Sequence, residues 1–69
     1  ERSMITIAVL AALGRDGELE LHLKTAQRIG LSEAQLRQAL MHVAVYAGVP
    51  AANHAFAMAK KLGWGEAQH

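Results

Sequence analysis

Apolar positions along the chain fall into four runs, cut by glycines and by one proline. The first run spans about Arg2 to Leu13 and is apolar nearly all round, so a helix here is expected to be covered on most sides. Ile5, Thr6 and Ile7 are β-branched, but the run continues through Ala8 to Leu13, which favours helix. Gly14 closes it as a C′ residue. The second helix is expected from about Gly17 to Ile29, with Leu19, Leu23, Ala26 and Ile29 on one face. The third carries the best local start signal. Ser32 is a good N-cap, Gln35 completes a capping box, and Leu31 with Leu36 forms a hydrophobic staple. It runs from about Glu33 to Ala47, with a core stripe of Leu36, Ala39, Leu40, Val43, Ala44 and Ala47. Pro50 is placed to open a fourth helix at its first position, and the helix carries Ala51, Ala52, Ala55, Phe56, Ala59 and Leu62. Lys60 and Lys61 in its last turn suit the helix dipole.

The prediction is an all-α fold, a small antiparallel bundle of about four helices in residues 1–62, with 63–69 as a flexible tail. Short connections are expected to make consecutive helices antiparallel neighbours.

Composition sharpens this picture in two ways. The chain has 69 residues and 52% apolar content, high for so small a body that must coat itself with polar groups. Oligomerisation through apolar helix faces, into a trimer or hexamer, is the expected remedy. A net charge of +1, with no basic cluster, gives no nucleic-acid footprint. The longest apolar run, "MITIAVLAALG", is too short for a bilayer span and lacks a signal-peptide pattern. A cytoplasmic location and no membrane partner are the expectation. The absence of cysteine excludes disulfides and thiolate chemistry.

Three groups of polar side chains interrupt the apolar faces. His22 lies three residues after Leu19 and four before Ala26, which places it on the same face as the second helix's apolar stripe, against the core. Glu18 stands one turn earlier. The pair reads either as a hydrogen-bonded structural pair or as an imidazole oriented by a carboxylate for proton transfer. His42 and Tyr46 stand one turn apart on the third helix and read either as a bonded core pair or as the polar wall of a pocket. Asn53 and His54 stand in the first turns of the fourth helix; they read either as a cap or turn residue and an exposed histidine, or as part of a helix start whose backbone N–H groups hold a carboxylate. The histidines show no ligand spacing such as HxxxH, so no metal is expected, and no glycine-rich phosphate loop occurs.

Taken together, "RSMITIAVLAALGRDGELELH" and "GLSEAQLRQALMHVAVYAGVPAANHAF" resemble the carboxymuconolactone decarboxylase family over nearly all of residues 1 to 62. The resemblance implies an AhpD-like helical fold. The related alkylhydroperoxidases carry a CxxCxxxH signature. In this chain its histidine falls on His22, and its cysteine positions fall on Arg15 and Glu18. Glu18 thus stands where a thiolate would act. The resemblance also implies a longer chain, with a further N-terminal segment packed on these helices.

The implied activity is decarboxylation of 4-carboxymuconolactone to 3-oxoadipate enol-lactone in protocatechuate breakdown, the β-ketoadipate pathway. No cofactor is needed, because the substrate carries its own electron sink. The implied catalytic set is Glu18, His22 and His42, with Arg2, Tyr46 and Asn53 binding substrate. A pocket between the second and third helices is expected to hold it. The competing expectations are a related enzyme acting on another lactone or keto acid, and a non-catalytic helical assembly module.

Overall fold

A computed structural model describes residues 2–64 of the chain, which are all-helical. Four helices follow one another: α1 Arg2–Leu13, α2 Asp16–Arg28, α3 Glu33–Ala47 and α4 Val49–Lys61. The bounds of α1 and α3 are those expected, and α2 starts and ends one residue earlier than the periodicity suggests. None of these helices is long and apolar enough to cross a membrane.

Local chemistry accounts for the ends. The Ser32 hydroxyl accepts a hydrogen bond from the Gln35 amide at 3.0 Å, and the Gln35 side-chain oxygen accepts one from the Ser32 amide at 3.0 Å. Two of the four free backbone donors at the start of α3 are therefore satisfied. Gly48 alone links α3 to α4. Its φ of +103° turns the chain within one residue, a conformation that costs any residue with a Cβ. Pro50 sits in the first turn of α4, where its missing N–H costs nothing.

The far end of α4 corrects the sequence reading. Gly63 has φ +91°, its amide donates to the Lys60 carbonyl at 3.0 Å, and the Trp64 amide donates back to the Ala59 carbonyl at 3.1 Å. This back-turn lays the next side chain against the helix just ended. Trp64 is consequently buried in the core and is not part of a loose tail. Residues 65–69, the rest of the expected tail, lie outside the described residues.

Packing departs from simple succession. α1 and α4 touch each other, and each touches both α2 and α3. No described residue of α2 contacts α3. In cross-section the bundle is a rhombus, with α1 and α4 on the short diagonal and α2 and α3 at the far corners. Consecutive helices are therefore neighbours except at the Ile29–Ser32 connection, and no pocket forms directly between α2 and α3. The core draws on every helix: Ile7 and Ala11; Leu19, Leu23 and Ala26; Leu36, Leu40 and Val43; Ala52, Ala55 and Ala59; and Trp64. The small alanines of α4 let the other helices approach closely. Ile29 and Ala47, expected on core stripes, are exposed instead, because each sits at a helix end with no neighbour beyond it.

Candidate functional site

The expectation that α1 is covered on most sides also fails, and the failure locates the site. Ile7 and Ala11 are buried, whereas Ile5, Val9 and Leu13 are 63%, 50% and 65% exposed. The three exposed residues recur every fourth position and form one stripe. Val9 is two residues from Ile7 and from Ala11, about 200° around the helix from each. The bare stripe thus runs along the side of α1 that faces away from the core and from α4. Arg2 is seven residues before Val9 and shares the stripe.

The flanks of α2 can be assigned the same way. Asp16 marks the α4 flank, because its carboxylate lies 3.0 Å from the His54 ring Nε2 on α4. Glu20 lines a groove with His54, Ala57 and Lys61 and marks the same flank. Glu18 and His22 each stand two residues from these markers, about 200° around. They therefore project on the opposite flank, beside the bare stripe of α1. On α3, Arg37 and Met41 line a groove with Phe56 and Lys60 of α4. His42 instead lines a shallow apolar groove with Met4, Ile5, Ala8 and Val9 of α1. Tyr46, one turn further, is on the same flank and is 85% exposed.

One open side of the molecule therefore carries a floor of Ile5, Val9 and Leu13, with Arg2 at one end. Glu18 and His22 form one wall, and His42 and Tyr46 form the other. Of the six predicted site residues, His42 lines a groove with Ile5 and Val9, and Arg2, Glu18, His22 and Tyr46 are assigned to the same side by helical phase alone. Asn53 is not on it: it is exposed on α4, across the bundle.

The reading of His22 as a residue packed against the core is corrected. No polar or charged side chain is buried among the described residues, and Glu18, His22, His42 and Tyr46 are all exposed in the single chain. The i±3 and i±4 spacing puts His22 on the face of Leu19 and Ala26, but those two are buried and His22 is exposed. What would cover that flank is a helix beyond α1, and α3 lies on the other side of α1 instead. Nor is Glu18 bonded to His22: its carboxylate faces the Arg15 guanidinium at 3.9 Å, a wide, solvent-exposed pair worth little. Neither is His42 bonded to Tyr46 among the described residues. All four side chains are free to turn toward a ligand lying on the α1 floor. Proton donors, a phenol and a guanidinium around an apolar floor suit a small apolar body carrying carboxylate and carbonyl groups.

Sequence reasoning missed two features. Asp16 as the partner of His54 joins residues 38 apart, and only the fold brings them together. The bare α1 stripe was visible as a four-residue period, but hydrophobicity alone does not distinguish it from the buried stripe opposite. No group of three or more acidic or histidine residues among the described residues is placed to hold a metal.

Comparison with known proteins bears on the whole of this helical unit. The profile of the Carboxymuconolactone decarboxylase family matches residues 1–61. The chain is 44% identical over 61 residues to a 4-carboxymuconolactone decarboxylase of Acinetobacter baylyi, covering 88% of this chain and 46% of that protein. It is 33% identical over 61 residues to a nitrosuccinic acid decarboxylase of Metarhizium robertsii, covering 88% of this chain and 43% of that one. The chain thus spans about half the length of the curated relatives it matches. No solved structure matches it.

Proposed function

The chain belongs to the carboxymuconolactone decarboxylase family, and from that premise we propose that it decarboxylates 4-carboxymuconolactone to 3-oxoadipate enol-lactone without a cofactor. The observation that carries this reading is the exposed apolar stripe of α1, with His42 lining a groove beside Ile5 and Val9; helical phase puts Arg2, Glu18, His22 and Tyr46 toward the same side. The 44% identity to a 4-carboxymuconolactone decarboxylase supports the choice of substrate.

The chemistry asks little of the protein. The departing carboxylate sits γ to the lactone carbonyl, across a carbon–carbon double bond. When its C–C bond breaks, carbon dioxide leaves and the electron pair moves through the double bond into the carbonyl, giving a dienolate. Protonation at the α-carbon then yields the enol-lactone, so each turnover consumes one proton and releases one carbon dioxide. Three tasks remain for side chains. His22 delivers the proton, and Glu18, one turn earlier, swings from Arg15 to orient the ring. His42 or Tyr46 donates a hydrogen bond to the lactone oxygen as charge grows there. Arg2 holds the carboxylate that stays.

The same reading gives the bare α1 stripe a purpose. In an AhpD-like assembly, a second copy laid over Ile5, Val9 and Leu13 excludes water from the site and strengthens each of these interactions. Apolar residues exposed in a line on a small body are the usual mark of such a surface.

A second reading is favoured by one observation: a relative 33% identical to this chain is a decarboxylase named for nitrosuccinic acid. The same side of the molecule then serves a different carboxylic acid whose electron sink is not a lactone. The deciding experiment supplies 4-carboxymuconolactone and, separately, nitrosuccinate, following substrate loss and carbon dioxide release together. Stoichiometric release from the lactone is expected. Turnover of nitrosuccinate alone would replace the first reading by the second, and inertness to both would leave neither standing.

A further inference from the structure

The opposite flank of α3 carries a second feature that this reading does not use. A groove of about 580 Å³ lies between α3 and α4, floored by Leu36, Met41, Phe56 and Trp64 and rimmed by Arg37 and Lys60. Arg37 and Met41 mark the α4 flank of α3, so this groove is separate from the α1 side where His42 and Tyr46 project. We propose that it binds a small aromatic carboxylate.

The polar groups at the groove are donors in excess. Trp64 is buried, and its indole Nε1–H has no hydrogen-bond partner. A buried donor without an acceptor is costly, and native proteins rarely leave one unmatched. Lys60 makes no ion pair among the described residues. Arg37 is met by Glu33 at 3.3 Å, which occupies the one acid of the rim. The rim therefore offers an ammonium and spare guanidinium donors, with no free carboxylate facing them, over a floor whose Trp64 Nε1–H is buried and unpartnered. A ligand bearing an anionic acceptor complements that set. The floor selects the rest of the molecule. Phe56 and Trp64 offer ring surfaces and Met41 a thioether, which together favour an aromatic body over an aliphatic chain. The volume lies within the usual range for small-ligand sites.

Trp64 is the sole tryptophan, so its fluorescence and its indole N–H resonance report on this groove alone. The test titrates the chain with benzoate, with benzyl alcohol as the ring without the charge and acetate as the charge without the ring. A saturable fluorescence change and a saturable shift of the indole N–H signal are expected for benzoate. Benzyl alcohol and acetate should each bind at least about tenfold more weakly, the scale of losing a charge-assisted contact or the ring burial. Lys60→Gln, at an exposed position where folding is not at issue, should weaken benzoate by about tenfold. An unchanged benzoate affinity in Lys60→Gln would overturn the proposal. So would acetate binding as tightly as benzoate, or the absence of any saturable signal. Lactone turnover at the α1 side enters none of these readouts, so failure here leaves that reading untouched, and the reverse holds.

Discussion

On its inner side α1 buries Ile7 completely and Ala11 nearly so; on its outer side Ile5 and Leu13 keep more than half their surface in water. The two sides are equally apolar, and only neighbours distinguish them. Ile7 and Ala11 meet α4 and the inward faces of α2 and α3, where alanines allow close approach. Ile5, Val9 and Leu13 keep at least half their surface exposed, and Ile5 and Val9 line only a shallow groove with Ala39 and His42 of α3. The inner side holds the molecule together. The outer side costs solubility and is flanked by the side chains best suited to chemistry. A protein keeps such a surface when something else covers it or binds there.

Breaking the inner side should give the largest effect. Leu40 is fully buried in the core, and Leu40→Ala removes its contacts and leaves a cavity. A loss of about 2–5 kcal/mol is expected, much of the stability of so small a domain, read by urea denaturation. The outer side should respond in the opposite manner. Val9→Glu should change the stability of the single chain by less than about 0.5 kcal/mol, as surface substitutions do. It should nevertheless weaken self-association by more than about tenfold, because an unpaired carboxylate would be buried between copies. Sedimentation of parent and variant at matched concentration separates these effects. Equal association of the two would show that Val9 lies outside any interface.

How far this contrast could be read from the sequence depends on the distance over which each signal acts. The Ser32–Gln35 box was legible because both partners lie within four residues and the geometry of one helical turn fixes them. The start of α4 was legible to within one residue, since the helix begins at Val49, just before its proline. The inner and outer sides of α1 were not, since both present the same residue types and the decision rests with α4, about forty residues away. Trp64 was misplaced because a glycine back-turn returns the chain onto the helix it has just left, which composition alone does not reveal. For the site, periodicity paired Glu18 with His22 and His42 with Tyr46 one turn apart, but it put His22 on the core face, where the structure leaves it exposed. It could not show that α2 and α3 stand at opposite corners, so that α1 separates the two walls and becomes their floor.

The smallest expected effect sharpens the comparison from the α4 flank. Asp16→Asn removes the charge from the contact to His54. Both partners are more than half exposed, so a destabilisation below about 1 kcal/mol is expected in thermal unfolding. A larger loss would mean that this flank contributes to holding α2 in place well beyond an ordinary surface pair.

Two histidines on opposite flanks give the most direct test. Turnover of 4-carboxymuconolactone should be measured for His22→Ala, on the bare α1 side, and for His54→Ala, on the α4 side. The account predicts a fall of about two decades or more in the first, as for loss of a proton donor. It predicts a rate within about threefold of the parent in the second, where only a surface pair is lost. A folded His22→Ala protein as active as the parent, or a His54→Ala protein that is the inactive one, would contradict it.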